Sequence, residues 1–180
     1  MKRSFMIVVS LVALIVVGAA SAATLDRITG TPHDDRIVGT AGGDIISALA
    51  GDDSVSALGG NDVVYGGQGN DAIWGGDGND VLRGGEGGDV IHGGDGNDWV
   101  EGGAGNDVIW VGRGADREFG GPGDDVMHAL ASDGQRDFID CGPGAHDVVY
   151  LNANEHDVAV NCETVIKKVP TPEEEAEDDS

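Results

Sequence analysis

A chain of 180 residues accommodates one domain of ordinary size with small extras. Glycine supplies 32 of them and aromatics only 4%, which excludes a conventional aromatic-rich core. Asp and Glu number 33 against 10 Lys and Arg, a formal charge of -23, so the chain repels nucleic-acid phosphates and anionic membranes and attracts cations.

The N-terminus reads Met1-Lys2-Arg3, then an apolar run from Phe5 to Val17 broken only by Ser10, then small residues from Gly18 to Ala23. A positive start, a short apolar middle and an A-x-A-like end predict a secretory signal peptide over residues 1–23, cleaved after Ala22 or Ala23. At 13 residues the run is short for a hydrocarbon core of about 30 Å. The product is therefore expected to be secreted and extracellular, with no membrane insertion after cleavage. Residues 24–29 form a lead-in.

From Gly30 to His128 the chain divides into eleven consecutive nonapeptides without an insertion. The clearest run, Gly66 to Trp110, reads GGQGNDAIW, GGDGNDVLR, GGEGGDVIH, GGDGNDWVE, GGAGNDVIW. The sixth position is Asp in every unit: Asp35, Asp44, Asp53, Asp62, Asp71, Asp80, Asp89, Asp98, Asp107, Asp116 and Asp125. The eighth is aliphatic or Met except at Glu118, and the fourth is Gly except at His33. Glycine at the first, second and fourth places permits backbone angles closed to other residues and lets the chain turn tightly. The triplet that follows the Asp is a minimal strand whose middle side chain points away from its neighbours, to the inside. Nine residues make half a turn and eighteen a full coil. The predicted fold is all-β, a right-handed parallel β-roll (a β-solenoid) whose coils stack at about 4.8 Å.

Stacking sets each sixth-position Asp above the one eighteen residues later, in two columns. Carboxylates about 5 Å apart repel by roughly 1 kcal/mol in water and by more where water is excluded. One aliphatic side chain per nonapeptide is a thin core to set against that repulsion, so a cation is required. Carboxylate and carbonyl oxygens without a set of His or Cys ligands describe a hard-cation site, and several calcium ions fit it best.

The pattern resembles the nonapeptide G-G-x-G-x-D-x-U-x of RTX (haemolysin-type) calcium-binding proteins, over residues 30–128. The resemblance implies calcium ions between the turns of adjacent coils, held by the sixth-position Asp and by turn carbonyls. The stronger sites are expected at Asp53, Asp62, Asp71, Asp80, Asp89, Asp98 and Asp107. Their carbonyls come from around Gly66, Gly67, Gly69, Gly75, Gly76, Gly78, Gly84, Gly85, Gly87, Gly93, Gly94, Gly96, Gly102, Gly103 and Gly105. Weaker sites are expected at Asp35, Asp44, Asp116 and Asp125. The first four units carry Thr31, Thr40, Leu49 and Leu58 at the second position in place of glycine. Glu118 stands where an inward aliphatic belongs, and a bulge that turns Phe119 inward is the simplest repair.

After His128 the nonapeptide fails, yet strand-like triplets recur at Phe138-Ile139-Asp140, Val148-Val149-Tyr150 and Val158-Ala159-Val160, with a turn at Gly142-Pro143-Gly144. Solenoids need terminal units that shield the last rung, so residues 129–169 are read as a C-terminal cap. In an oxidising compartment Cys141 and Cys162 supply one disulfide, tying successive cap rungs where no calcium loop can. Residues 170–180 read as an acidic, disordered tail.

No H-E-x-x-H, G-x-S-x-G or P-loop motif occurs, and the histidines (His33, His92, His128, His146, His156) are scattered. No catalytic or cofactor-binding residue is assigned, and the chain is read as a non-enzyme. The outward ninth position reads Val38, Ser56, Trp74, His92, Trp110, His128 down one column. Rings one coil apart shield the strand surface, or else offer a platform for a surface glycan or protein partner. The leading function is a calcium-loaded structural or surface-interaction module. A carbohydrate- or partner-binding module on the Trp74/Trp110 face comes second, and a calcium buffer or sensor third.

Overall fold

One aliphatic side chain in nine residues makes a core only if all of them point the same way. The computed structural model, which describes residues 13–16 and 25–174, shows how strand register secures this. The chain is an all-β parallel solenoid of about 8 turns. Successive strands alternate between a nine-stranded and an eight-stranded sheet, and each pairs in parallel with the strand two places on. Val63 pairs with Val81, and Val81 with Trp99, so the eighteen-residue step is kept and the eighth positions stack. Ile37, Val55, Ile73, Ile91, Ile109 and Met127 fill one inner column, and Ile46, Val64, Leu82 and Val100 fill the other, all fully buried. Each contributes roughly 1.5–3 kcal/mol of hydrophobic stabilisation.

The strands are longer than the expected triplets. Ala72–Asp77 continues through Gly75 and Gly76, and Gly76 pairs with Gly94 on the next coil. The glycine arm thus joins the ladder and then turns. Most of the second- and fourth-position glycines have positive φ, for example Gly76 at 105° and Gly78 at 134°. At Leu49 and Leu58 a leucine holds the same left-handed conformation, with φ of 91° and 80°. Such a conformation costs an L-residue roughly 1–2 kcal/mol, and both side chains are exposed, so little burial offsets it. Leu49→Gly and Leu58→Gly are each expected to stabilise the protein by about 0.5–1 kcal/mol after glycine's larger unfolded-state entropy is counted. Thermal unfolding in calcium checks this; a lower Tm in both variants would contradict the strained turns.

The bulge expected at Glu118 does not form. Arg117–Phe119 keeps strict register with Trp99–Glu101 on one side and Phe138–Asp140 on the other. Two parallel neighbours fix the register, and a one-residue slip would turn every side chain to the wrong face. Glu118 therefore stays fully buried between Val100 and Ile139, while Phe119 stays outside, its ring stacked on Trp99 at 4.7 Å.

Beyond His128 both sheets continue, through Phe138–Asp140, Val148–Asn152, Val158–Val160 and Thr164–Lys168. Cys141 and Cys162 form a disulfide with Cα atoms 5.1 Å apart, one residue and two residues beyond paired strands on adjacent coils. At the other end Ala13–Val16, inside the expected signal peptide, pairs with Asp35–Val38 as the outermost strand; the rest of that segment lies outside the described residues. Of the expected acidic tail, residues 172–174 form one helical turn, with Lys168 paired to Glu174 at 2.5 Å, and residues 175–180 lie outside the described residues. No helix among the described residues is long and apolar enough to cross a membrane.

Candidate metal centre

The sixth-position carboxylates are brought together by the coil period, and each oxygen of a given Asp has a different fate. The Oδ1 of Asp80 accepts the backbone N–H of Asp62 at 2.8 Å, and the N–H of Asp80 donates to Oδ1 of Asp98 at 2.8 Å. The same bond, at 2.6–2.9 Å, links Asp35, Asp53, Asp71, Asp89, Asp107 and Asp125 in one column and Asp44, Asp62, Asp80, Asp98 and Asp116 in the other. The second oxygen, Oδ2, is buried without a hydrogen-bond partner in Asp53, Asp62, Asp71, Asp80, Asp89, Asp98, Asp107, Asp116 and Asp125. Buried polar atoms are seldom left so, and a whole column of them calls for a compensating partner such as an ion.

The first-position glycines complete that place. A methyl group built on Gly75 would lie 2.5 Å from Oδ2 of Asp80 and 2.5 Å from the Gly93 carbonyl oxygen. Gly66, Gly84, Gly93, Gly102 and Gly120 face the same pair of oxygens, a carboxylate and a carbonyl one coil on. At Gly120 that carbonyl belongs to Cys141, so the Asp125 turn is completed from beyond the nonapeptides. The sequence expectation that first-position glycine serves turning is corrected here: its φ is ordinary, and the need is for a notch between two oxygens. Among the described residues no three His, Cys, Asp or Glu side chains converge on one point. An ion in the notch must draw most of its donors from backbone carbonyls. A hard, flexible, oxygen-seeking cation suits this donor set, and calcium fits it.

The first two units differ. Oδ2 of Asp44 accepts the Thr40 N–H at 2.7 Å, and the Thr40 hydroxyl reaches the same carboxylate at 3.2 Å. Thr31 does likewise for Asp35, with N–H to Oδ2 at 2.5 Å and hydroxyl to Oδ1 at 3.1 Å. A local Thr motif thus satisfies the oxygens that elsewhere lack a partner. Asp116 and Asp125 group with the central members by this measure, not with Asp35 and Asp44.

Burial pushes the carboxyls of Asp53, Asp71, Asp80 and Asp125 up to about 6, and those of Asp62, Asp98 and Asp107 up to about 7. Asp116 is pushed up to about 9 by burial, with Asp137 and Asp98 adding repulsion. The accepted backbone N–H only partly offsets burial in each case. A carboxyl raised from its ordinary value near 4 binds more protons folded than unfolded between pH 4 and about 7. Fold stability in chelator is therefore present at low pH and lost as pH rises through 6–7. Calcium needs the same oxygens deprotonated, so its affinity runs the other way. In chelator the strand signal should grow from pH 8 to pH 5, while the calcium midpoint should rise over the same interval. Circular dichroism at the two pH values checks both signs.

The model of the RTX calcium-binding nonapeptide repeat family matches four times, over residues 29–64, 56–91, 83–118 and 92–127. The chain belongs to this family. No curated protein matches it. In this RTX chain the matched stretch contains all eleven sixth-position Asp residues.

Two features of the RTX roll escape sequence reasoning, and a third, the expected column of rings, runs further than expected. The fifth position carries a ladder of its own, running in the opposite sense: the Asn97 N–H donates to Oδ1 of Asn79, whose N–H donates to Oδ1 of Asn61. Asp34, Asp52, Asn70 and Gly88 repeat it on the other side. The recurrence of Asn and Asp immediately before the sixth-position Asp is the signal that could have found it. The Asp ladder also runs past the nonapeptides, from Asp116 to Asp137 and Asp157 and from Asp125 to Asp147. Finally, the ninth-position column is a continuous stack, with Trp74, His92, Trp110, His128 and Tyr150 at centroid spacings of 5.8, 4.6, 4.9 and 4.8 Å. Lys168 caps it over the Tyr150 ring at 4.8 Å. Burial, helped by the Lys168 charge, lowers the His128 pKa to about 4, so that ring stacks neutral near physiological pH.

Proposed function

We propose that this RTX β-roll is an exported calcium-binding module that folds on extracellular calcium and serves as a structural or surface-interaction element without enzymatic activity. The observation that carries this reading is the set of buried Oδ2 atoms without hydrogen-bond partners from Asp53 to Asp125, six of which, at Asp71, Asp80, Asp89, Asp98, Asp107 and Asp125, lie next to a glycine notch. Bound calcium supplies the positive charge that lets neighbouring carboxylates share one wall of the roll. The chain's part is to hold those carboxylates in register through Oδ1 and to present carbonyls from the next coil. Secretion is supported by the Met1-Lys2-Arg3 start and the apolar run after it, and by a disulfide that suits an oxidising compartment. Native mass spectrometry of the intact chain in calcium tests the reading: several ions per chain are expected, and a chain that binds none would overturn it.

A narrower second reading survives for the aromatic column. His92 and His128 cover both faces of Trp110, which leaves no flat surface there for a sugar. Trp74 ends the stack, beside a cleft of about 280 Å³ lined by Arg36, Ser54 and Ser56. On this second reading a carbohydrate or protein partner would use Trp74 and not Trp110.

A further inference from the structure

The residues after His128 hide a repeat that the nine-residue period misses. Cys141-Gly142-Pro143-Gly144-Ala145-His146-Asp147-Val148-Val149-Tyr150 parallels Gly120-Gly121-Pro122-Gly123-Asp124-Asp125-Val126-Met127-His128 with one residue inserted before the Asp. The fold treats it as a repeat. Gly142 has a φ of 91° and lies over the Gly121 carbonyl, 2.5 Å from a methyl built on it. Gly144 lies over the Gly123 carbonyl in the same way that Gly123 lies over that of Gly105. Val148 pairs with Val126, and Tyr150 with His128.

Asp147 takes the sixth-position role in full. It is completely buried, and its Oδ1 accepts the Asp125 N–H at 2.8 Å. Its Oδ2 has no hydrogen-bond partner and lies 2.5 Å from a methyl built on Gly144, a position that also faces the Gly123 carbonyl. A carboxylate and a carbonyl again meet across a glycine, but the glycine is now Gly144, both Asp147 oxygens face it, and the carbonyl comes from the preceding coil instead of the next. Glu163 continues the column, its Oε2 accepting the Asp147 N–H at 3.0 Å. A cleft of about 560 Å³ lined by Gly121, Gly142, Gly144, Asp140 and Glu163 opens this turn to solvent.

We infer that the turn Gly142–Asp147 holds a calcium ion of its own, with Asp147 as its carboxylate and the Gly123 carbonyl among its donors. Sequence reasoning places no ion here, and the stretch matched by the family ends at residue 127. The site rests on the calcium reading of the nonapeptides, because its claim is that a related notch of carboxylate, glycine and carbonyl recurs after an insertion. The inference stops at Asp147. Asp157 also has a buried Oδ2 without a hydrogen-bond partner, but the turn before it, Asn152 to His156, has no glycine to open a notch.

The test counts ions on the full chain by native mass spectrometry in saturating calcium. Asp147→Asn keeps an oxygen for the Asp125 N–H and removes the charge, so it should bind one ion fewer than the parent. Glu163→Gln leaves Asp147 untouched and should raise the calcium concentration that fills the last site several-fold. Hydrogen exchange of residues 141–150 should slow on calcium addition in the parent and not in Asp147→Asn. A parent that binds several ions together with an Asp147→Asn variant that binds the same number would overturn the inference alone. Loss of every ion in Asp147→Asn would also overturn it, because it would make Asp147 a folding residue of the whole roll. A parent that binds no calcium would instead remove the reading on which the site rests.

Discussion

In excess chelator at neutral pH the strand spectrum of the protein is expected to collapse, and millimolar calcium should restore it over a narrow concentration range. From Asp53 to Asp116 each coil of the roll buries two carboxylates whose second oxygen lacks a hydrogen bond. Nine such groups lie in the nonapeptides, and a buried unsatisfied polar group costs roughly 1–3 kcal/mol, more when charged. Together they match the whole net stability of an ordinary domain, roughly 5–15 kcal/mol. Through the glycine-complete units the inner columns supply one side chain per half-coil, as Ile73, Leu82 and Ile91 show, and only units such as those of Ala48, Ala57 and Val111 add a second. A cation that binds only the folded arrangement adds its binding free energy to folding. The transition should be cooperative, because an ion held between two coils would order both. Circular dichroism through a chelator-to-calcium titration checks it; a strand spectrum indifferent to the chelator would contradict the account.

The second large effect separates one position from its equivalents. Asp80→Ala is expected to raise the calcium midpoint for folding several-fold, while Asp35→Ala should shift it little. Asp80 accepts the Asp62 N–H, and its Oδ2 shares the Gly75 notch with the Gly93 carbonyl. Its loss removes an ion's carboxylate and leaves the Asp62 amide without its acceptor, in the middle of the roll where coils on both sides depend on it. Asp35 lies near the N-terminal end, and Thr31 already hydrogen-bonds both of its oxygens. Parallel calcium titrations of the two variants decide the matter, and equal midpoints would remove the distinction between satisfied and ion-requiring carboxylates.

Much of this architecture is legible in the sequence because the repeat is strict. An Asp every nine residues with an aliphatic two places on leaves few ways to stack, and the parallel sheets, inner columns and Asp ladders follow directly from it. Membership of the calcium-binding repeat family is legible for the same reason. What is not legible depends on contacts between coils. Gly75 reads as a turning residue, yet its φ is ordinary and its role is to leave room between Asp80 and the next coil's carbonyl. Thr40 reads as a defect in a glycine pattern, yet it supplies Asp44 with the bonds an ion would otherwise make. Glu118 invites a bulge when considered alone, but pairing on both sides overrides a local preference. The ladder steps of 21 and 22 residues from Asp116 to Asp137 and from Asp125 to Asp147 break the period while the strands keep their pairing, since the added residues lie in the turns.

The central claim is that the Oδ2 columns are cation sites, and long-wavelength anomalous diffraction from crystals grown in calcium tests it most directly. The account predicts two rows of anomalous peaks along the roll, each within bonding distance of a sixth-position Oδ2 and strongest beside the first-position glycines at Asp71, Asp80, Asp89, Asp98, Asp107 and Asp125, with none beside Asp35 or Asp44. A map without peaks in those rows, with the same carboxylate oxygens bonded to water or backbone instead, would contradict it.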